Sequence, residues 1–291
     1  MDYTQDTDRI ILTNFNNFHI GDILECGQCF RFEEIEDMHY MLVAFGKVLY
    51  IRQDENAIFF SYKDEMLSVI EFEALWTPYF DLMRDYDAII TKISESDDTM
   101  QTAVAFAPGI RILQQDPWEM LISFIISANN RIPQIKQVVK NISMRYGAQI
   151  DEQNYAFPTA EKLLQATSED LRALKTGFRD KYIIDAAQKV AAGALDLNRD
   201  TALSTEDLRK SLLNVQGVGE KVAHCILLFG YGRFDTFPVD TWVRKVMQQY
   251  YFNGETVNAA QIHSLAQERF GELSGFAQQY LFHYIRKRSV K

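Results

Sequence analysis

The stretch LRKSLLNVQGVGEKVAHCILLFGYGRFDTFPVDTWVRKVM, residues 208–247 of a 291-residue chain, decides how the sequence is interpreted. An amphipathic helix runs into VQGVG, and a second helix follows. Gly217 and Gly219 flank Val218, and glycine permits positive φ angles and close approach to the backbone. The pattern predicts a helical hairpin over 208–229 whose free amides suit an anion such as a phosphate oxygen. An ordinary turn between two helices would give the same spacing.

Two ionisable residues in this stretch favour chemistry over a plain turn. Lys221 lies in the first turn of the second helix, where the helix dipole disfavours a cation and favours the neutral, nucleophilic amine that forms Schiff bases. Asp240 follows Pro238 and Val239 and is placed to cap the next helix. Its carboxylate could stabilise positive charge developing on a sugar ring. The simpler alternatives are a surface lysine and an aspartate that only caps.

The charge of the chain is unevenly distributed. Hydrophobic residues make up 47% and charged residues 24%, which predicts a folded chain with a sizeable core. The net charge of −10 argues against a nucleic-acid partner, because such partners usually require a basic footprint. However, residues 1–100 carry a net −14 and residues 101–291 a net +4. This split indicates two functional units.

The start of the chain, its longest apolar run and its cysteines indicate where the protein acts in the cell and which cofactors it could bind. The acidic, polar start is unlike a signal or transit peptide, and the longest apolar run, near 120–128, is about half of what a bilayer requires. We therefore expect an intracellular protein, cytoplasmic at the nucleoid in a prokaryote or nuclear in a eukaryote. Cys26 and Cys29 form a lone C-x-x-C and Cys225 stands apart, too few for a zinc or iron–sulfur site. We interpret Cys26 and Cys29 as structural thiols and expect no metal.

The pattern along the chain predicts an α+β fold. Residues 8–62 are predicted as β, with GDILECGQCF a strand containing a bulge, and residues 64–95 as helix. From Asp116, a predicted N-cap before Pro117, the pattern is helical nearly to the end. We therefore predict an N-terminal domain over 1–105, an antiparallel β-sheet with helix, and an all-helical domain over 106–291.

Six motifs occur in one order along nearly the whole chain: CGQCFRF, RILQQDPWEMLISFIISANNRI, TGFRDKY, GVGEKVAHC, PVDTW and FAQQYLF. In these motifs the sequence resembles the helix–hairpin–helix (HhH-GPD) DNA glycosylases, specifically the bifunctional 8-oxoguanine DNA glycosylase/AP lyases. The resemblance implies a base-excision repair enzyme that flips 8-oxoguanine out of duplex DNA. Lys221 would attack the sugar C1′ and displace the base, and the Schiff base that results would allow strand cleavage by β-elimination. Asp240 would stabilise the oxocarbenium-like transition state and assist proton transfers. It implies a monomer that needs no cofactor, with a monovalent cation at the hairpin carbonyls.

The resemblance also assigns roles to residues outside the hairpin. The Gly27 carbonyl would accept a hydrogen bond from the N7–H of 8-oxoguanine, and Gln278 would read the Watson–Crick edge. Phe282 and Cys225 would sandwich the base. The alternatives are a β-bulge at Gly27 and a core aromatic at Phe282.

Two further positions would act on the opposite strand. Asn129 would fill the hole that the flipped base leaves, and Arg179 would contact the orphaned cytosine. A plain helix C-cap at Asn129 and a solvated charge at Arg179 are the alternatives.

Two positions depart from the family pattern. Gln134 stands where a second cytosine-reading arginine is usual, which predicts weaker discrimination for the base opposite the lesion, since glutamine lacks arginine's bidentate reach. Trp242 stands where a histidine is common, near the phosphate of the flipped nucleotide. Gln134 and Trp242 are nevertheless expected, with Gly217, Val218 and Gly219, to contact DNA.

Three alternative functions remain open at this point. One is another enzyme of the fold, specific for alkylpurines, adenine mismatches or pyrimidine lesions; monofunctional members usually lack the lysine, and several others carry four C-terminal cysteines. The others are a non-catalytic DNA-binding module and a structural helical protein.

Overall fold

The N-terminal part of the molecule is built on one antiparallel sheet. We describe it from a computed structural model that covers residues 2–198 and 201–289. The six strands are arranged in the order β1-β2-β6-β5-β4-β3. They are β1 (Asp2–Asp6), β2 (Arg9–Thr13), β3 (Phe32–Glu36), β4 (His39–Ala44), β5 (Lys47–Gln53) and β6 (Ile58–Ser61).

Alternation of apolar and polar side chains sets the register of this sheet. Ile10 pairs with Phe60 and Leu12 with Ile58, and all four side chains are fully buried. Because successive residues point to opposite faces, this register places one apolar face against the rest of the domain. The aromatic rings of Phe72, Trp76 and Phe80 cover that face.

The other regular elements of the described chain are helices, apart from an isolated β-bridge between Gln149 and Tyr155. The first helices are α1 (Ile20–Glu25), α2 (Val69–Glu71), a π-helical turn (Phe72–Trp76), α3 (Thr77–Tyr79), α4 (Tyr86–Ser94) and α5 (Asp98–Phe106). After these come α6 (Pro117–Ser127), α7 (Ile132–Tyr146), α8 (Ala160–Leu163), α9 (Ser168–Ala173), a 3₁₀ turn (Gly177–Arg179) and α10 (Asp180–Ala191). The last are α11 (Thr205–Leu213), α12 (Glu220–Tyr231), α13 (Thr241–Tyr251), α14 (Ala259–Phe270), a 3₁₀ turn (Gly271–Leu273) and α15 (Ser274–Ser289). The α+β prediction is confirmed.

The N-cap that was predicted at Asp116 forms as expected, and a glycine ends the following helix. The Asp116 side chain accepts a hydrogen bond of 2.8 Å from the Glu119 amide, and Pro117 opens α6. Gly147 caps α7, and its amide bonds the Ser143 carbonyl at 2.8 Å.

Two local predictions are wrong. GDILECGQCF is not a bulged strand: Ile20–Glu25 is a helix, and the C-x-x-C follows it in a turn. Residues 64–95 do not form one helix either. The helical turns α2 to α3 end at Tyr79, Asp81 takes a φ of +51°, and α4 starts separately at Tyr86.

The hydrophobic cores divide the chain differently from the predicted boundary. Buried side chains between Ile10 and Leu82, together with Leu113, form the core beneath the sheet. Cys26 and Phe30 are exceptions: they belong to the other core, whose remaining side chains come from Tyr86 onward. Helix α4 thus packs with the helical part although it precedes residue 105, and so does α5, which runs across the predicted boundary. The 105/106 boundary itself stays a prediction.

The thiols and the membrane question can be reported for the described residues. Cys26, Cys29 and Cys225 are all free and buried. Burial raises the pKa of Cys26 to about 12 and that of Cys29 well above its usual value, so both are protonated in neutral solution. Over 2–198 and 201–289 no helix has the length and apolar character needed to cross a membrane.

Candidate active site

Six of the residues singled out in the sequence meet at one cavity. It lies where α12, α15, the start of α13 and the turn after α1 converge, and it encloses about 320 Å³ including its open mouth. Its lining residues are Gly27, Phe124, Lys221, Cys225, Phe229, Pro238, Asp240, Gln278, Gln279 and Phe282. A concave, mostly apolar site with a few convergent polar groups is the usual form of a small-ligand pocket.

Lys221 is presented to the cavity from the first turn of α12. Its Nζ donates a hydrogen bond of 3.2 Å to Ser127 Oγ and lies 5.1 Å from the centre of the Phe124 ring. Both partners are on α6, which packs against α12. These contacts hold the amine at the cavity wall, so the alternative of a lysine extended along a solvated helix face is wrong.

Asp240 is the N-cap of α13 and also lines the cavity. Its carboxylate accepts a hydrogen bond of 2.8 Å from the Val243 amide. Burial raises the pKa of Asp240 above its ordinary value, although the Val243 amide and the nearby Lys221 charge both act to lower it. Capping and a cavity position are therefore combined in one side chain, and the raised pKa suits a group that takes up and returns protons.

Cys225 lies one helical turn after Lys221, and both side chains reach the cavity as the i, i+4 spacing predicts. The thiol is buried, which raises the pKa of Cys225 to about 11, with a smaller lowering effect from Lys221. The site therefore has a neutral, polarisable sulfur beside the amine at physiological pH.

Gly27 brings backbone, rather than a side chain, to the cavity. Its φ is +83°, and a Cβ added there would lie 3.0 Å from Cε1 of Phe282. A side chain would therefore press against the Phe282 ring in a conformation that L-residues rarely adopt. The residue belongs to a turn, not to the β-bulge considered from sequence.

Gln278 contributes a polar group without a partner. The residue is 4% exposed, and among the described residues its Oε1 accepts no hydrogen bond. A buried acceptor left unpaired costs about 1–3 kcal/mol. Such a cost is offset when a ligand supplies a donor, and an amide in a small cavity suits the hydrogen-bonding edge of a base.

Four cavity residues were not singled out from sequence: Phe124, Phe229, Pro238 and Gln279. Phe124 and Phe229 stack with centroids 5.5 Å apart and planes at 15°. Phe124 and Ser127 sit three residues apart on α6, a spacing typical of one helix face. That spacing was the only signal available for the Ser127 contact with Lys221.

Asn129 and Arg179 lie together beside the cavity-lining elements. Asn129 is exposed just after α6, with φ +51°, and its carbonyl accepts a hydrogen bond of 3.2 Å from Arg179 Nη2. Arg179 also bonds the carbonyl of Ala128 and, at 3.2 Å, that of Thr176. Arg179 is only 7% exposed, so the solvated-charge alternative is wrong. Its neighbour Phe178, which the sequence analysis did not single out, is 55% exposed.

The hairpin between α11 and α12 has the predicted form. Gly217 takes a φ of +80°, Val218 is buried, and no side chain caps the N-terminus of α12 at Gly219. Gly217 and Gly219 are exposed. The N-terminus of α12 therefore has amides without a side-chain cap, a feature that suits an anion.

The two departing residues occupy first turns of helices. Gln134 is exposed at the start of α7. Trp242 is half-buried at the start of α13, with Lys245 Nζ 5.5 Å from its ring centre. Among the described residues, no cluster of three or more His, Cys, Asp and Glu could hold a metal ion.

Comparison with protein families covers both parts of the chain. Residues 10–121 match the model described as 8-oxoguanine DNA glycosylase, N-terminal domain. Residues 122–272 match the HhH-GPD superfamily base excision DNA repair protein.

Individual relatives agree with these matches. The N-glycosylase/DNA lyase of Saccharomyces cerevisiae is 31% identical, over 82% of this chain and 69% of that protein. The probable N-glycosylase/DNA lyase of Methanothermobacter thermautotrophicus is 29% identical, over 72% and 74%. A solved structure of the Clostridium acetobutylicum 8-oxoguanine glycosylase/lyase, with double-stranded DNA containing cytosine opposite 8-oxoG, matches with a TM-score of 0.94 and 40% identity, covering 99% of both chains.

Proposed function

The chain belongs to the HhH-GPD superfamily of base excision DNA repair proteins and carries the N-terminal domain of the 8-oxoguanine DNA glycosylases, and on this premise we propose how its own residues act. The protein is a bifunctional N-glycosylase/DNA lyase that removes 8-oxoguanine from duplex DNA. One observation supports the residue assignments above all others: Lys221, Asp240 and Gln278, whose Oε1 accepts no hydrogen bond from any described residue, share a single cavity.

The proposed reaction starts with the amine of Lys221. Neutral Nζ attacks C1′ of the flipped nucleotide, the bond from C1′ to the base breaks, and the base leaves with the bonding electrons and takes up a proton from water. Positive charge develops on the sugar as the base departs, and the Asp240 carboxylate at the cavity wall stabilises it. The ammonium nitrogen at C1′ then gives up one proton and its lone pair breaks the bond from C1′ to the ring oxygen, which takes up that proton, so that the ring opens to a protonated Schiff base.

Strand cleavage follows from the Schiff base. Removal of a proton from C2′ lets the 3′ phosphate leave by β-elimination, because the iminium nitrogen takes up the electrons of the C–H bond. The raised pKa of Asp240 supports its part in these proton transfers. The hydrogen bond with Ser127 supports the orientation of the Lys221 amine.

Recognition of the damaged base would use two neutral hydrogen-bonding groups at its edges, and a thiol and an aromatic ring at its faces. The Gln278 amide would pair with the Watson–Crick edge, and its unpartnered Oε1 supports this role. The Gly27 carbonyl would accept the N7–H, which guanine lacks. Cys225 and Phe282 would contact the faces of the base.

The DNA backbone and the opposite strand would be held outside the cavity. The hairpin residues Gly217, Val218 and Gly219 would lie against a phosphate, with the amides of the two glycines as donors because the Val218 amide already donates to the Val215 carbonyl at 3.1 Å. A monovalent cation would bind the hairpin carbonyls. Asn129 and Arg179 would occupy the gap and face the orphaned base, and Gln134 and Trp242 would lie against DNA nearby. We also propose that the protein acts as a monomer, at the nucleoid of a prokaryote or in the nucleus of a eukaryote.

The decisive experiment is borohydride trapping on a duplex that contains 8-oxoguanine. The wild-type protein should form a covalent adduct, because reduction of the Schiff base joins Nζ to the sugar. Lys221→Gln should abolish the adduct and lower base release by several orders of magnitude. Lys210→Gln changes an exposed lysine on α11 and should trap normally.

The same assay separates the remaining alternatives. Release of an alkylated purine or a mismatched adenine, without release of 8-oxoguanine, would indicate another glycosylase of this fold. Binding without release or adduct would indicate a non-catalytic module. The cavity with its amine and carboxylate disfavours both.

A further inference from the structure

The turn that carries Gly27 is held by side-chain amides on both of its flanking carbonyls. Gln279 Nε2 donates to the Cys26 carbonyl at 2.8 Å, and Gln115 Nε2 donates to the Gln28 carbonyl at 2.8 Å. Gln279 is 2% exposed and Gln115 is 4% exposed. Hydrogen bonds this well buried are costly to break, since the groups they leave would be unpaired.

The side chain of Gln28 completes the support of the turn. Its Nε2 donates to the carbonyls of Ile23 and Arg111, each at 2.8 Å, and its Oε1 accepts from the Leu113 amide at 2.8 Å. Gln28 is fully buried. A single side chain therefore joins the end of α1 to the segment that leads into α6.

The three glutamines tie the turn to the elements that carry the rest of the cavity. Gln279 is the neighbour of Gln278 on α15. The backbone amide of Gln115 donates a hydrogen bond of 2.8 Å to the Phe229 carbonyl of α12. Helix α12 also bears Lys221 and Cys225. The position of the turn is thus set relative to the amine, the thiol and the Gln278 amide.

Between the two clamped carbonyls, the carbonyl of Gly27 accepts no hydrogen bond from any described residue. Because the peptides before and after it are fixed, its direction is fixed as well. We propose that Gln279 and Gln115, with Gln28, form an amide clamp whose function is to hold the Gly27 carbonyl rigid, and that this rigidity determines discrimination between 8-oxoguanine and guanine. This inference rests on the proposed function.

The physical reason lies in the difference between the two bases at N7. In 8-oxoguanine N7 carries a hydrogen and is a donor, whereas in guanine it is an acceptor. A carbonyl that cannot retreat gains a hydrogen bond with the first and is held against a lone pair in the second. A carbonyl that can move would form a weaker hydrogen bond with 8-oxoguanine and would be less strongly repelled by N7 of guanine. Both effects would decrease the selectivity for 8-oxoguanine over guanine.

The test compares base excision with strand cleavage in single-turnover assays. Gln279→Met keeps the side-chain length and removes the donor, and Gln279→Glu places an acceptor against the Cys26 carbonyl. We expect 8-oxoguanine release to slow by about tenfold for Met, the equivalent of one hydrogen bond, and by more for Glu. Cleavage of a duplex with a preformed abasic site, which has no base to read, should change by less than about twofold. The ratio of 8-oxoguanine to guanine release should decrease.

Two further variants keep the test decisive. Gln115→Met removes the hydrogen bond on the other side of the turn, and Gln115 does not line the cavity. This variant should likewise slow excision and leave strand cleavage nearly unchanged. Gln53→Met removes a similar pair of backbone hydrogen bonds, to the Phe18 carbonyl and the Ile20 amide, away from the Gly27 turn. It should leave both activities unchanged.

The outcomes separate the clamp from the function on which it rests. If the wild-type protein releases no 8-oxoguanine, the proposed function is wrong and the clamp with it. If the wild type is active but excision and cleavage fall equally in the Gln279 and Gln115 variants, or neither falls, the clamp is overturned alone. A structural role would lower both activities together.

Discussion

Asp240 combines two requirements that act on its pKa in opposite directions. As an N-cap it is stabilised as an anion by the Val243 amide, and the Lys221 charge acts the same way. Burial at the cavity opposes both effects and prevails, so the pKa of Asp240 is raised. An ionised Asp240 at neutral pH therefore costs stability, which is typical of groups retained for function.

We predict that Asp240→Asn inactivates the protein but stabilises it at neutral pH. Asparagine caps helices as well as aspartate does, so the cap is kept while the buried charge is removed. The unfolding temperature at pH 7 should rise by about 2–4 °C, the equivalent of roughly 1 kcal/mol. As the pH falls through the raised pKa, folded wild type takes up a proton that the unfolded chain does not yet bind, so the wild type gains relative stability.

The advantage of the variant should therefore shrink on acidification, which thermal unfolding at pH 7 and pH 4 would measure. Asp85→Asn is the matched control, because Asp85 caps α4 from an exposed position. A lower unfolding temperature for Asp240→Asn at pH 7 would contradict the argument.

Gln134 leads to a prediction about the opposite strand. Because it is exposed at the start of α7 and lacks a guanidinium, we expect excision rates with C, A, G and T opposite the lesion to lie within about tenfold of one another. Gln134→Arg should increase the preference for cytosine by about 10- to 100-fold, in line with 1–3 kcal/mol for a bidentate contact. A strong cytosine preference in the wild type would refute the idea.

The two glycines of the hairpin between α11 and α12 differ in the space available for a side chain. A Cβ at Gly217 would lie 2.3 Å from the Tyr182 ring at a φ of +80°, whereas a Cβ at Gly219 would meet nothing within 4 Å. We predict that Gly217→Ala destabilises the fold by about 2 kcal/mol or more. Gly219→Ala should change stability by less than about 1 kcal/mol but weaken DNA binding, because its methyl group stands where a phosphate would approach.

Thermal unfolding and fluorescence-anisotropy titration of the two variants would test this pair. Equal destabilisation of both variants would contradict the difference between the two positions. Unchanged DNA affinity in Gly219→Ala would refute the proposed phosphate site.

Most elements could be predicted from the sequence, and the exceptions have identifiable causes. Helix α1 was missed because two glycines and a cysteine pair favoured a strand. Yet Ile20, Ile23 and Leu24 are buried at helical spacing, and His19 Nδ1 caps the helix by accepting from the Asp22 amide at 3.1 Å. A six-residue helix has too weak a local signal, and the packing of these three side chains into the core beneath the sheet decides it.

Only those residues of the candidate site that belong to sequence motifs could be predicted. The order of motifs brought Gly27, Lys221 and Gln278 into one hypothesis, and the structure brings them into one cavity. The contacts of Gln115 and Gln279 could not be predicted. They join residues 87 and 253 positions apart in the chain, and no local pattern encodes such pairs.

The distribution of charge explains how an acidic protein can present a DNA site. The hairpin, Asn129 and Arg179 all belong to residues 101–291, which carry a net +4. The acidic part contributes Gly27, a neutral backbone group. The acidic residue nearest that turn in sequence, Glu25, is paired with Lys287 at 2.8 Å, and its carbonyl accepts from Arg286. The carboxylate nearest the turn in sequence is thus neutralised by an ion pair.

This arrangement predicts a shallow dependence of DNA affinity on salt. Each phosphate neutralised by a cation contributes roughly 0.9 to the slope of log affinity against log salt concentration. Backbone amides bind phosphate without adding a full charge, so a small net +4 and an amide-built hairpin should give a slope of about −2 to −5. Titration of binding from 50 to 200 mM salt would measure it, and a slope near −10 would contradict the argument. Gly219→Ala should lower the affinity at every salt concentration yet leave the slope unchanged, because it removes an approach to phosphate and no charge.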